Sequence, residues 1–341
     1  LSVAGNTTMI HLFLGLDPRH IRYEPYVPVT NLPPMVRGRD LGLGIAAEAP
    51  VYILPGRAGF VGGDITADVV ASGMHRRSQL TLLIDVGTNG EVVVGNDEFL
   101  VACSTSAGPA FEGGEVASGM RATMGAIEKV RIRPDLEPEV ETIGGKEPLG
   151  ICGSGLIDLV AQMFLRGLLD KKGRIQGVDG KRVRFGEEGS TYVLRESQGK
   201  VRKEISVSDS DLANIIRTKA AVYAGCNVLL KTIDKGFKDL DKVYIAGGFG
   251  NYIDIENAVA IGLLPDLPRK RFDFIGNAAL AGAVQTLLSK RKRKEALQAY
   301  EDMTYVELST SQAFFDEFSS ASFLPHTDGE RFPSVWKRMK G

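Results

Sequence analysis

Two hydrophobic spacings divide the chain. Short aliphatic and β-branched runs closed by turn residues predict strands at 51–54, 82–86, 91–94, 98–103, 242–246 and 304–308. Apolar residues three and four apart predict helices over 9–14, 64–70, 156–169, 254–260 and 278–288. The clearest helix begins at Ser208 or Asp209 as cap, with Leu212, Ile215, Ile216 and Tyr223 on one stripe. Between these elements, residues 23–44 are rich in proline and glycine and read as a surface connection, and residues 171–204 turn polar and read as an exposed insertion. Asn6 or Thr7 is expected to cap the first helix.

Around residues 82–95 the chain packs most of its turn chemistry into one hairpin. An apolar run ends on Asp85, the turn Gly87-Thr88-Asn89-Gly90 follows, and Glu91 leads straight back into Val92, Val93 and Val94. Asn89-Gly90 suits positive φ, and glycines at 87 and 90 would let backbone N–H groups approach an anion. Two readings of this stretch are equal: an Asn-Gly hairpin capped by an acid, or a phosphate cradle with a carboxylate beside it. Asp64, at the start of the 64–70 helix, is either its cap or a second acid facing that hairpin.

Two further glycine groups follow apolar strands. Gly153, Ser154 and Gly155 open a helix, where glycine serves either an anion at the helix start or close packing on a sheet. Gly247, Gly248, Phe249 and Gly250 end the strand at 242–246 and allow a flat ligand to approach. Lys219 falls seven residues after Leu212, inside an apolar stripe, so it must snorkel or find an anion, expected to be a nucleotide or a neighbouring acid.

Composition narrows the class. The 341 residues are 43% hydrophobic and 24% charged, which supports a well-packed globular chain, and 40 glycines gather in turns after apolar runs. A net charge of −1 leaves no footprint for nucleic acid, and the basic run from Lys290 to Lys294 is expected to complement the end of the helix before it. Cys103, Cys152 and Cys226 lie far apart, so they spell neither a disulfide framework nor a local iron–sulfur or zinc motif. No stretch has the length of a membrane span, and a cytoplasmic protein with no membrane partner is expected. No P-loop motif occurs.

The order of the motifs carries a resemblance. An Asp-x-Gly-Thr hairpin followed much later by a strand ending in Gly-Gly resembles the superfamily of acetate and sugar kinases, heat-shock chaperone ATPases and actin. The runs from Gly5 to His11, Ile84 to Glu91, Cys103 to Gly113, Gly150 to Asp158 and Ala246 to Tyr252 narrow it further. Together they resemble the C-terminal ATPase part of the reductive activators of corrinoid-dependent enzymes.

That resemblance implies an α/β fold, a two-lobed actin-like ATPase with ribonuclease H-like subdomains. It also implies ATP and Mg²⁺ as ligands, a 2Fe–2S cluster in a ferredoxin-like domain outside this sequence, and reduction of a corrinoid protein from Co(II) to Co(I) in methyl transfer. The partner would be a corrinoid iron–sulfur protein or the corrinoid subunit of a methyltransferase, with a homodimer as a further expectation. Lacking a first Asp-x-Gly-Thr hairpin and the cluster cysteines, the chain is expected to be the C-terminal portion of a longer activator. Residues 1–78 would be the remainder of a first, incomplete lobe, 79–300 a second lobe with the polar insertion, and 301–341 an extension packing on the core.

By position, Asp85 and Thr88 would be catalytic, with Asp85 orienting Mg²⁺ or water and Asp64 a second metal candidate. Gly87, Asn89 and Gly90 would cradle phosphate, and Gly153, Ser154 and Gly155 would contact the nucleotide. Gly247, Gly248, Phe249 and Gly250 would sit by adenosine, with Lys219 beside them. A small-molecule kinase of the same superfamily and a non-catalytic docking module for a corrinoid protein are the alternatives.

Overall fold

The computed structural model describes residues 1–340 apart from 88, 106–107, 178–181, 188, 198–202 and 249–252. The first part holds β1 (Ser2–Val3), α1 (Thr7–Phe13), β2 (Val36–Arg37), β3 (Pro50–Ile53) and α2 (Gly63–Ser72). Asn6 caps α1, its side chain accepting from the Met9 N–H at 2.8 Å, while β1 lies parallel to β3 and β2 antiparallel to it. Next come β4 (Thr81–Val86), β5 (Gly90–Gly95), β6 (Leu100–Thr105), β7 (Ala126–Ile132), β8 (Pro138–Thr142), β9 (Gly150–Ile151) and α3 (Gly153–Leu165). The polar insertion folds as an antiparallel sheet of β10 (Val183–Gly186), β11 (Gly189–Arg195) and β12 (Ile205–Ser208), which leads into α4 (Asp209–Thr232). Ser208 caps α4 in a reciprocal pair with Asp211.

The chain closes with β13 (Lys242–Ala246), α5 (Ile255–Ala260), β14 (Phe272–Gly276), α6 (Ala278–Leu288), α7 (Lys290–Asp302), β15 (Met303–Tyr305), α8 (Gln312–Ala321) and α9 (Pro333–Lys340). Its main sheet has the order β14-β13-β4-β5-β6-β15. The β4–β5–β6 meander is antiparallel, and β13, β14 and β15 join it in parallel.

Strand alternation sorts the two faces of this sheet. Leu82, Ile84, Val86, Val92 and Val94 point to one core with residues of α3 and α4. Leu83, Val93 and Ala102 point the other way, onto Ile65 and Val69 of α2 and Met303 of β15. Asp85 and Glu91 continue that second face and therefore aim at α2.

Helix α6 crosses α2 at a point where Gly282 has no room for a side chain, because a Cβ there would overlap the Ala67 carbonyl. The basic run begins α7 rather than trailing off in solvent, because Ser289 caps a new helix. Arg293 from that run still meets the end of α6, donating to the Thr286 carbonyl at 2.8 Å. No helix among the described residues is long and apolar enough to cross a membrane.

Candidate active site

Parallel pairing sets Ala246 of β13 beside Asp85 of β4, so both strands end at one edge of the sheet. A cleft of about 470 Å³ opens there, lined by Asp85, Gly87, Glu112, Arg121, Gly153, Gly247, Gly248 and Asn277 among others. It gathers the strand-end acid, one residue of its turn, one glycine of the 153–155 group and both described glycines of the 247–250 group.

These glycines serve different purposes. Among the described residues, a Cβ at Gly248 would have no neighbour within 4 Å and one at Gly87 only distant neighbours, so backbone is presented to the cleft at both. Gly247 has φ +108, and a Cβ would stand 2.5 Å from the Val86 carbonyl and 3.0 Å from Asp85 Oδ1. It is required by the close approach of β13 to β4.

Gly90 departs from the hairpin expectation. Its φ is outside the left-handed region, and a Cβ would lie 2.7 Å from both Thr105 Oγ1 and Val222 Cγ2. The residue is small because α4 packs on the sheet there. Gly153 lines the cleft, but it and Gly155 are fixed by packing, since Cβ atoms would overlap the Phe111 and Ile127 carbonyls. Ser154 is buried, with Oγ 3.5 Å from Cys152 Sγ, and neither it nor Gly155 lines the cleft. Asn89 lines a neighbouring cavity. Thr88, Phe249 and Gly250 lie outside the described residues.

Lys219 is a correction. Its ammonium meets neither nucleotide nor acid, but donates to the Phe323 and Pro325 carbonyls at 2.6 and 2.8 Å from a fully buried position. Burial holds its pKa well below the usual lysine range. The α4 stripe meets the segment after α8, whose turn leaves two carbonyls pointing inward.

Asp64 is not a helix cap, because Gly62 holds that place on α2. It joins a group of four carboxyls that sequence reading found only in part. Asp64 and Asp68 are four residues apart on one stripe of α2, and Asp85 and Glu91 are direct cross-strand partners on the facing sheet. Burial raises Asp64 to about 6, opposed by the Ile65 N–H and reinforced by Asp85. Glu91 is pushed up to about 8 by burial, then by the charges of Asp64 and Asp85, although Ser104 Oγ donates to it at 3.1 Å.

Asp68 is fully buried, and among the described residues no N–H or O–H group donates to either of its oxygens. Burial and the adjoining Asp85 carboxyl drive it well above the carboxylate range, and the two can share one proton. Two signals could have revealed these acids: the i, i+4 spacing from Asp64 to Asp68, and the register that a three-residue turn imposes on Asp85 and Glu91. Arg121 had no such signal, being delivered by the irregular chain before β7.

Among the described residues, no group of three or more His, Cys, Asp or Glu could hold a metal ion by side chains alone. Mg²⁺ needs no such cage, since it keeps waters and binds through one or two carboxylates plus substrate phosphates. Asp85 at the cleft and the open backbone at Gly87 and Gly248 suit that arrangement. Cys103, Cys152 and Cys226 are free and buried, and they form no such metal-holding group among the described residues.

The family model for the C-terminal domain of RACo, the ASKHA domain, matches residues 79–336, and the RACo middle region matches residues 1–77. The chain belongs to this family. Its fold is that of the acetate and sugar kinase, heat-shock and actin group. The corrinoid activation enzyme RamQ of Eubacterium limosum is 37% identical over 323 residues, covering 92% of this chain and 54% of RamQ. The Co(II) methylated amine-specific corrinoid protein reductase of Methanosarcina barkeri is 23% identical, over 92% of this chain and 60% of that protein.

A solved reductive activator for corrinoid, iron-sulfur protein superposes with a TM-score of 0.91 at 47% identity, over 98% of this chain and 54% of that one. The chain thus spans little more than half the length of the relatives it matches.

Proposed function

We propose that this chain supplies the nucleotide-binding part of a reductive activator, in which ATP hydrolysis accompanies reduction of a corrinoid protein from Co(II) to Co(I). The observation that carries the reading is the meeting of Asp85, Gly87, Gly247 and Gly248 in one cleft, with three further carboxyls behind Asp85. The relatives named above support the activity and the class of partner.

In this reading Gly87 and Gly248 present backbone to the phosphates, Arg121 brings positive charge, and the start of α6 adds the positive end of its dipole. Mg²⁺, held by Asp85 and through water by Asp64, would neutralise phosphate charge. Asp64, raised only to about 6 and so ionised at neutral pH, would then accept the proton of the attacking water. Its raised pKa suits that task, because the group is a stronger base than an ordinary carboxylate and is still ionised at pH 7. Such positioning and charge neutralisation suffice for phosphoryl transfer. ATP can drive reduction only if it binds two arrangements of the protein with different affinity.

The test is phosphate release from Mg-ATP in the presence of a Co(II) corrinoid protein and a reductant, using the full-length activator. Asp85→Ala is expected to abolish release and the accompanying Co(I) spectrum. Turnover at the unmodified rate in that variant would refute the assignment.

A further inference from the structure

The β4–β5 turn borders two spaces. Gly87 lines the cleft, while Asn89 lines a second cavity of about 400 Å³. Four aromatic side chains wall this cavity: Tyr26, Phe60, Phe314 and Phe315. Its polar lining includes Glu307 and Ser104, and no Lys, Arg or His is among its described lining residues.

The walls are built rather than incidental. Tyr26 is held at φ 59, unusual for an aromatic residue, and its ring lies 5.1 Å from that of Phe60. The loop can sit there only because residue 59 is glycine, since a Cβ would stand 2.5 Å from the Tyr26 carbonyl.

The carboxylate is fixed as well. Tyr305 Oη donates to Glu307 Oε2 at 2.9 Å, and the Ser309 N–H donates to Oε1 at 3.0 Å. Ser104 spends its proton on Glu91, which leaves lone pairs on its hydroxyl oxygen. The polar side of the cavity is therefore rich in acceptors, and Phe60 and Phe315 remain 37% and 46% exposed.

Aromatic rings beside a fixed carboxylate, with no cation in the described lining, are the recognition chemistry of an organic cation. We propose that this cavity binds a small organic cation, with an alkylated ammonium head against the aromatic walls and its charge near Glu307. The volume suits a small molecule at the lower end of ligand pockets. This site is separate from the nucleotide reading and stands without it. The same charge could be delivered free or on the side chain of a docked protein, and the test separates the two.

Choline and its neutral carbon isostere, 3,3-dimethylbutan-1-ol, are titrated into the protein without nucleotide, followed by calorimetry and by ligand-observed NMR. Choline is expected to bind saturably and roughly tenfold more tightly than the isostere. Glu307→Gln is expected to erase that preference, and Phe315→Ala, at a half-exposed position, to weaken choline binding while leaving the thermal midpoint unchanged. N-acetyl-arginine amide forms the second arm. Tighter binding of it than of choline, with the same dependence on Glu307, assigns the cation to a protein side chain. Equal binding of choline and its isostere, no saturable binding of any cation, or full choline affinity in Phe315→Ala overturns the proposal.

Discussion

Asp68, fully buried on α2, faces Asp85 at the end of β4, and among the described residues no N–H or O–H group donates to Asp68. Two carboxyls in that position repel unless a proton or a cation lies between them. Replacing Asp68 by asparagine removes the repulsion and supplies a donor. Asp68→Asn is expected to raise the thermal midpoint at pH 8 by a few degrees, about 1 kcal/mol or more in stability. A lowered midpoint, measured by calorimetry without nucleotide, would show that Asp68 has a structural partner instead.

Glu91 gives the site a pH dependence of definite sign. Its pKa rises from 4.5 to about 8 on folding, chiefly through burial. The folded protein therefore holds a proton that the unfolded chain releases. Stability from this group is complete below pH 4.5 and is lost as pH rises through about 8. Thermal midpoints of wild type and Glu91→Gln are compared from pH 5 to 9. The difference is expected to grow in favour of the glutamine variant as pH rises, and a constant difference would contradict the shift.

Glu317 on α8 works in the opposite direction. Burial alone would raise it, but the His326 N–H at 3.3 Å and Arg331 at 2.5 Å outweigh burial and bring it down to about 2. Its contribution is present above pH 4.5 and disappears as pH falls through about 2. Glu317→Gln is expected to cost about 3 kcal/mol at pH 7 and much less at pH 2.5. Urea unfolding at the two pH values measures this.

The two glycines beside the turn separate packing from ligand contact. Gly90→Ala forces a carbon against Thr105 and Val222 and is expected to destabilise by about 1–3 kcal/mol. Gly248→Val meets no described neighbour at its Cβ and is expected to leave stability nearly unchanged while blocking the cleft. Denaturation midpoints of both variants, with nucleotide titrations of each, check the contrast.

Much of this was legible in the chain. Strand runs closed by glycine placed β4, β5, β6 and β13, and the cap at Ser208 placed the start of α4, because burial and capping are written locally. The motif order led to the family. What stayed hidden were consequences of tertiary packing. Gly90 and Gly155 looked like ligand glycines, yet their smallness answers α4 and the Ile127 carbonyl. Lys219 looked like an anion's partner, yet its acceptors come from Phe323 and Pro325, over a hundred residues later, as backbone carbonyls that no residue type announces. Asp68 joined the acids because α2 lies on the second face of the sheet.

The most direct measurement is calorimetric titration of Mg-ADP and Mg-ATP into wild type, Asp85→Asn and Gly248→Val. Wild type is expected to bind with a Kd in the micromolar range, and both variants to lose at least about tenfold, or 1.4 kcal/mol. Equal affinity in all three proteins would place the nucleotide elsewhere and contradict the central claim.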